Sequence, residues 1–210
     1  MRKIPSVFVR DPRGRRKVTP EVTEGCEWVL AGEGMATRKW DGTACAIIGG
    51  RLYKRKGAKK CNPPPEGFAP AEARPEFHWL GWVPVGDGPE DRYHREAWAY
   101  ALSDWTGVPE DWDGTYELIG SRVQGGAEVW FEDGELDPGH YLIPHGTYQE
   151  RCVNRSFEGI RDLLATLRWE GIVFHHPDGR MAKVKRKDFG LPWPLPTLQV
   201  MYVEVPTPCA

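Results

Sequence analysis

The chain has 210 residues, 40% of them hydrophobic and 28% charged, which is typical of one globular domain and excludes a disordered or fibrous protein. No apolar run is long enough to cross a membrane, and charges interrupt the N-terminal segment too early for a secretory signal, so we expect a cytoplasmic protein without a membrane partner. The net charge of −2 hides an asymmetry, because residues 1–60 hold 15 Lys and Arg against 6 Asp and Glu, and residues 61–180 hold 9 against 22.

Residues 1–25 are basic and rich in turn-forming residues, which predicts a basic N-terminal arm laid over the domain or partly mobile. The local excess of cations indicates a polyanionic partner on one side of the molecule. A solvated arm would have the same composition, so charge alone leaves both interpretations open.

The next segments alternate in the manner of short antiparallel strands. MATRKW (35–40), TACAII (43–48) and RLYKR (51–55) are predicted strands, and Gly49-Gly50 is a two-residue hairpin signal. CNPPPEGFAPAEARP (61–75) contains five prolines, which predicts an insertion loop without regular structure.

The remaining elements alternate between strands and two helices. The predicted strands are FHWLGWVPV (77–85), GTYELIGSRV (114–123), GHYLIPHG (139–146), EGIVF (170–174) and MAKVKR (181–186). Helices are predicted over 92–103 and from the N-cap Ser156 to Leu167. A proline-rich extension, 189–210, is too short for another domain. We therefore predict one α+β domain over 1–210, with mostly antiparallel sheets and few helices.

The cysteines and histidines give little indication of a metal or disulfide site. Five cysteines without a CxxC pair favour reduced, mostly buried thiols. His175 and His176 are adjacent, and adjacent residues on a strand point to opposite faces, so they are not expected to bind one ion together.

Five short elements occur in a fixed order between residues 39 and 185. They are KWDG with Lys39, Asp41 and Gly42; YKRKG with Arg55 and Gly57; TYELIG with Glu117; EGIVF with Glu170; and AKVKRKDF with Lys183 and Lys185. In this order the elements resemble those of the covalent nucleotidyltransferases, the superfamily of ATP-dependent ligases and messenger-RNA capping enzymes. The resemblance implies a nucleotidyltransferase (ATP-grasp-like) domain, here without a C-terminal OB-fold.

By this resemblance Lys39 is the nucleophile that takes up AMP from ATP. A lysine attacks phosphorus only as the neutral amine, and partial burial and neighbouring cations both disfavour the ammonium. Lys183, Lys185, Arg55 and a bound Mg²⁺ ion would supply those cations. Considered alone, Lys39 would be an ordinary solvated residue beside a turn.

Strand geometry relates Glu170 to the two late lysines. If the hairpin turn falls near residues 177–179, Lys183 and Lys185 share one face, and a register placing Glu170 opposite Lys185 would gather a carboxylate and two ammoniums on one wall. Such a wall suits Mg²⁺ and the charge of a reacting phosphate. The alternative is a cross-strand ion pair on a wet sheet face.

The remaining roles follow from the resemblance. Glu117 would accept a hydrogen bond from the ribose, although an exposed strand acid would look the same. Arg55 would clamp a phosphate or the ribose side of the nucleotide, or belong to the solvated basic run 51–60. Tyr141 is favoured as the ring that stacks on the base, with Trp130 and Phe131 as alternatives.

Taken together, these elements predict an ATP-dependent RNA ligase of the compact phage or bacterial repair type. Its substrates would be RNA 5′-phosphate and 3′-hydroxyl ends, with ATP and Mg²⁺ as cofactors and no obligate protein partner. A DNA ligase, a GTP-using capping enzyme, and a non-catalytic nucleic-acid or nucleotide-binding module remain as alternatives.

Overall fold

A computed structural model describes residues 4–14, 17–59, 64–71, 78–104, 112–128, 130–132, 135–137, 139–150 and 154–195. Contacts divide the chain into two compact units, which we call unit I (Asp41–His145) and unit II (Ile4–Trp40 and the residues from Gly146 onward). Each unit combines a helix with antiparallel strands, which confirms the predicted α+β class. One domain spanning 1–210 stays a prediction.

The strands in chain order are β1 (Phe8–Arg10), β2 (Val18–Val22), β3 (Met35–Lys39), β4 (Thr43–Ile48), β5 (Arg51–Lys59), β6 (Ala69–Pro70), β7 (His78–Pro84), β8 (Gly114–Gly120), β9 (Trp130–Glu132), β10 (Glu135–Asp137), β11 (His140–Pro144), β12 (Gln149–Glu150), β13 (Gly171–His175) and β14 (Met181–Lys185). The helices are α1 (Glu27–Leu30), α2 (Arg92–Asp104) and α3 (Phe157–Thr166). Short 3-10 turns cover Pro89–Asp91, Gln124–Gly126 and Arg186–Phe189.

Unit I is built on a six-stranded sheet with the order β11-β8-β4-β5-β7-β6, beside a separate β9-β10 hairpin. Alternate residues of β4 and β8, among them Cys45, Ile47 and Leu118, form a core with Ala97 of α2. The opposite alternation places Glu117 of β8 on the other face of the sheet, away from this core.

Unit II contains a four-stranded sheet with the order β12-β3-β13-β14. Alternation along these strands places apolar residues on one face, where they pack against α3. The fully buried members of this core include Ile160, Leu164, Ile172, Phe174, Ala182 and Val184. The opposite face carries polar residues, Lys39, Lys183 and Lys185 among them, and α3 does not cover it.

Most predicted elements are confirmed close to their predicted bounds. Gly49 and Gly50 both have positive φ, as a two-residue hairpin turn requires, and Ser156 caps α3 by accepting a hydrogen bond from the Gly159 N–H at 3.0 Å. The predicted basic arm contributes Val7 and Phe8, both fully buried, to the core of unit II.

The proline-rich loop contains one short strand. The prediction that residues 61–75 have no regular structure is wrong at Ala69–Pro70, which pairs with β7. A proline is tolerated there because β6 is an edge strand. Residues 61–63 and 72–75 of that loop, and 196–210 of the C-terminal extension, lie outside the described residues.

The prediction of reduced, buried thiols is confirmed for the two cysteines that the structure describes. Cys26 and Cys45 are buried free thiols. Cys61, Cys152 and Cys209 lie outside the described residues.

A buried arginine stabilises the end of α3. Arg186 is 3% exposed, and its guanidinium donates to the backbone carbonyls of Leu164, Leu167 and Pro192. The last carbonyls of a helix have no partner within the helix, so this side chain satisfies groups that would otherwise be buried without hydrogen bonds.

We predict that Arg186→Met lowers the free energy of unfolding by about 2–4 kcal/mol, because it leaves buried carbonyls unpaired. Urea unfolding measures this change. Lys187→Met is the matched control, since Lys187 is exposed in the same turn and its removal is expected to have little effect. Equal unfolding midpoints for the two variants would contradict the capping role.

Candidate active site

Lys39 lies in a row of three paired residues on the face of the unit II sheet away from α3. It is the last residue of β3 and faces Gly171 of β13, and Gly171 faces Lys185 of β14. Residues paired across a ladder point to the same face of the sheet. The two lysines therefore flank a position that has no side chain.

Glu170 connects these two lysines. It immediately precedes β13 and is only 4% exposed. One carboxylate oxygen accepts a hydrogen bond from Lys39 Nζ and the other accepts one from Lys185 Nζ, so the carboxylate bridges the two ammoniums. Lys39 Nζ also donates to the Trp40 carbonyl at 3.0 Å.

The register differs by one residue from the one that would place Glu170 opposite Lys185. Gly171 is opposite Lys185, and the Glu170 carbonyl accepts a hydrogen bond from the Arg186 N–H at 2.8 Å. The expected wall of one carboxylate and two lysines still forms. Glu170 lies at the end of the strand, where its side chain reaches both amines, and Gly171 places nothing between them.

Lys183 adds a third ammonium to the same face, two residues before Lys185 and opposite Val173. Burial is the main cause that lowers the pKa of Lys183 to about 8, and the charges of Lys39 and Lys185 lower it further. Among the residues that the structure describes, its Nζ has no hydrogen-bond or ion-pair partner. The cluster is therefore a concentration of positive charge that suits an anion.

Asp41 and Gly42 follow Lys39 in sequence and belong to unit I. The Gly42 N–H donates to Glu117 Oε1 at 3.1 Å, and the Asp41 N–H donates to Glu128 at 3.2 Å. A Cβ on Gly42 would lie 2.2 Å from the Leu118 carbonyl oxygen, so only glycine fits this close approach.

Glu117 has a second partner, His145, that the motifs do not indicate. His145 Nε2 lies 2.9 Å from Glu117 Oε2, and its Nδ1 lies 2.9 Å from the Thr115 hydroxyl. The carboxylate is therefore held at both oxygens, by His145 and by the Gly42 N–H. Neither His145 nor the buried Glu128 was predicted from the sequence, because neither belongs to a recognisable motif.

The other predicted nucleotide contacts also lie in unit I. Arg55 is half-buried on β5 and faces Trp82 across the ladder. Tyr141 on β11 belongs to the same face of the sheet as Glu117, because it pairs with Ile119, two residues from Glu117 on β8. Its ring contacts that of Tyr100 edge-on, with centroids 4.9 Å apart. The side chains of the alternatives Trp130 and Phe131 lie outside the described part of the structure.

The candidate residues thus fall into two groups, one in each unit. Unit II brings Lys39, Glu170, Lys183 and Lys185 together, and unit I joins Gly42 to Glu117. The described residues contain no cluster of three or more His, Cys, Asp or Glu side chains able to hold a metal ion by themselves. His175 contacts the Thr37 hydroxyl at 3.0 Å, whereas His176 pairs with Glu33 and Asp178. No helix in the described ranges has the length and hydropathy to span a membrane.

Comparison with known proteins shows the family to which the chain belongs. A family model described as RNA ligase 1 matches residues 102–206, a range that includes Glu117, Glu170, Lys183 and Lys185. RNA ligase 1 of Mus musculus is 26% identical, over 93% of this chain and 82% of the mouse protein. RNA ligase 1 of Pongo abelii is 35% identical, over 51% of this chain and 32% of its own length.

These matches show that the chain is a ligase enzyme. It belongs to the RNA ligase 1 family. The relatives given above are animal proteins, and the compact phage or bacterial type stays a prediction.

We predict that Gly171→Ala destabilises unit II and disrupts the cluster. A Cβ at this position would lie 2.1 Å from the Val184 carbonyl oxygen, so the backbone of β14 has to move away from β13. The expected decrease is about 1–3 kcal/mol in the free energy of unfolding. Gly114→Ala is the control, because a Cβ there makes only ordinary contacts, the nearest at 3.8 Å. Equal stability of the two variants would refute the close-packing argument.

We also predict that Lys183→Met stabilises the protein at neutral pH. With the pKa lowered to about 8, the charged lysine is disfavoured in the folded state. After allowance for solvent screening, the gain is about 1–2 kcal/mol below pH 8. It should shrink as pH rises from about 8 towards about 10.5, because wild-type Lys183 then loses its proton on folding.

Denaturant unfolding at a series of pH values measures this difference. A variant less stable than wild type at pH 7, or a gain that does not change with pH, would contradict the unfavourable charge of Lys183.

Proposed function

We propose that this RNA ligase is ATP-dependent and acts through a lysyl-AMP intermediate on Lys39. The observation that carries the proposal is the contact of Lys39 with a buried carboxylate, on a sheet face that it shares with Lys183 and Lys185. An ordinary surface lysine does not have a buried carboxylate partner and two further ammoniums beside it. In a phosphate-transfer site, the carboxylate would accept the proton of the nucleophilic amine, and the two ammoniums would stabilise negative charge on the phosphate.

In the first step, Lys39 Nζ attacks the α-phosphorus of ATP. An N–P bond forms, the bond to the bridging oxygen breaks, and pyrophosphate leaves with that electron pair. The amine has to lose a proton before it attacks, and Glu170, which accepts its hydrogen bond, would pass that proton on to solvent and remain a carboxylate. Lys183 and Lys185 stabilise negative charge on the phosphate oxygens.

In the next two steps AMP moves to the RNA and is then displaced. An oxygen of the RNA 5′-phosphate attacks the AMP phosphorus, the N–P bond breaks, and Lys39 leaves as the amine, which takes up a proton. The strand end thereby gains a good leaving group. The RNA 3′-hydroxyl then attacks the activated 5′-phosphate and loses its proton to solvent, and the P–O bond to AMP breaks so that AMP leaves with that electron pair. The same lysines offset phosphate charge in each step.

The donor set fits a magnesium ion held jointly with the nucleotide. Magnesium commonly binds through one or two carboxylates together with substrate phosphates, and Glu170 is the buried carboxylate beside Lys39. The bound ion would neutralise charge on the phosphates. Glu170 would have to release at least one of its two lysine hydrogen bonds to bind it.

The nucleoside contacts follow from the family resemblance. Glu117 accepts a hydrogen bond from the ribose, Tyr141 stacks on the adenine, and Arg55 contacts a phosphate or the ribose side. The hydrogen bonds of Glu117 with Gly42 and His145 support this role, since a carboxylate held at both oxygens needs no reorganisation to receive a hydroxyl.

We predict that Lys39→Ala abolishes covalent uptake of label from ATP labelled at the α-phosphate, because it removes the attacking nitrogen. The wild-type adduct should survive alkali and break in acid, as expected of a phosphoramidate. Lys56→Ala is the control, since Lys56 is an exposed lysine of β5 and its removal should leave uptake unchanged. Uptake by Lys39→Ala at the wild-type rate would reject the assigned nucleophile.

A sealing panel separates RNA joining from the related activities. It consists of 5′-phosphorylated single-stranded RNA, a nicked RNA duplex and nicked DNA, each with ATP or GTP. Joining of at least one RNA substrate with ATP is expected. Joining that requires GTP, or that occurs with DNA alone, would contradict the proposal.

A further inference from the structure

The N-terminal segment lies directly beside the lysine cluster of unit II. The Val7 N–H donates to the Lys183 carbonyl and the Lys183 N–H donates to the Pro5 carbonyl, both at 2.9 Å, so this segment runs parallel to β14 at the edge of the sheet. The chain continues into β1, which pairs with β2. These backbone hydrogen bonds place the β1-β2 hairpin, and the basic residues that it carries, next to β14.

Arg10, at the end of β1, is connected to the cluster through a buried carboxylate. Its guanidinium donates to Asp188 at 3.1 Å, and the other oxygen of Asp188 accepts a hydrogen bond from the Lys185 N–H at 2.9 Å. Asp188 is 4% exposed, whereas the Arg10 side chain is 45% exposed. One side of the guanidinium is thus anchored and the rest is accessible.

Further exposed cations continue from Arg10. Arg13 lies in the turn between β1 and β2, Lys17 just before β2, and Lys187 in the turn after β14. Lys17 Nζ lies across Gly190, 3.0 Å from where a Cβ on that glycine would be, which brings the hairpin against the chain that follows β14. We call Arg10, Arg13, Lys17 and Lys187 the basic track.

Two acids beside these cations, Asp188 and Asp11, are already hydrogen-bonded. Asp188 binds Arg10 and Lys185 as described, and Asp11 accepts a hydrogen bond from the Arg13 N–H at 2.8 Å.

We propose that the basic track binds the phosphate backbone of the RNA strand whose end is joined. Arg10 lies four residues, and so at most roughly 13 Å along the chain, from Ser6, which is opposite Lys183. The track continues beyond Arg10 into the turn. A repeating polyanion has phosphates at such distances from the cluster, whereas a nucleotide bound at Lys39 carries one short phosphate chain. The inference rests on the proposed function in taking the lysine cluster as the reacting centre.

The test compares RNA binding with self-adenylylation in the double variant Lys17→Glu/Lys187→Glu. Binding of 5′-phosphorylated single-stranded RNA that carries a 3′ fluorophore is measured by fluorescence anisotropy between about 50 and 200 mM salt. We expect an affinity at least about tenfold lower and a salt slope smaller by about 0.7 for each phosphate that the variant no longer neutralises. Self-adenylylation by ATP should stay within about twofold of wild type, because neither lysine belongs to the cluster around Lys39.

The matched control is Arg161→Glu/Arg180→Glu, which changes the charge of unit II equally at arginine side chains that lie outside the track and are 43% and 49% exposed. The control and the conservative variant Lys17→Arg/Lys187→Arg should both bind RNA like wild type, and all variants should unfold at similar temperatures. Unchanged RNA affinity in the track variant, or an equal decrease in the control, would overturn the proposal.

The two proposals fail in different ways. A fall in self-adenylylation as large as the fall in RNA affinity would mean that these cations serve ATP, which overturns the track. If wild type takes up no label but the track variant still shows lower RNA affinity and a smaller salt slope, the lysyl-AMP mechanism fails and the track stands.

Discussion

A buried carboxylate between two lysines is the interaction on which the candidate site depends. Burying Glu170 alone would be costly, and its hydrogen bonds to Lys39 and Lys185 offset that cost. The arrangement requires Gly171 between the lysines and the three-strand ladder that sets their order. Because the opposite face of these strands is apolar and packs against α3, the core of unit II also orients the charged side chains.

The same cluster is a local cost to stability that the proposed reaction would explain. Three ammoniums share one sheet face with a single carboxylate, and the lowered pKa of Lys183 shows that its charge is unfavourable there. An arriving phosphate would relieve this repulsion. Functional sites commonly retain such locally unfavourable groups because the bound ligand, rather than the free protein, satisfies them.

The sequence predicted the elements that hold this cluster, because their patterns are local. Alternation placed Lys183 and Lys185 on one face, and Ser156 marked the start of α3. The pairing of β13 with β14 was predicted only to within one residue, since alternation fixes which face a side chain occupies but not which residue it is opposite. His145 and Glu128 were missed because their partners, Glu117 and the Asp41 N–H, are distant in sequence and bound through contacts that only the fold creates. The burial of Val7 and Phe8 could not be predicted, because charged residues surround them in the sequence.

Locating the adduct on the chain tests the assignment of Lys39 as the nucleophile. Wild-type protein incubated with ATP and magnesium is digested under alkaline conditions, and the peptides are sequenced by mass spectrometry. We expect AMP on the side chain of Lys39. AMP on Lys183 or Lys185 instead, or no adduct on any lysine in a preparation that joins RNA, would refute this assignment.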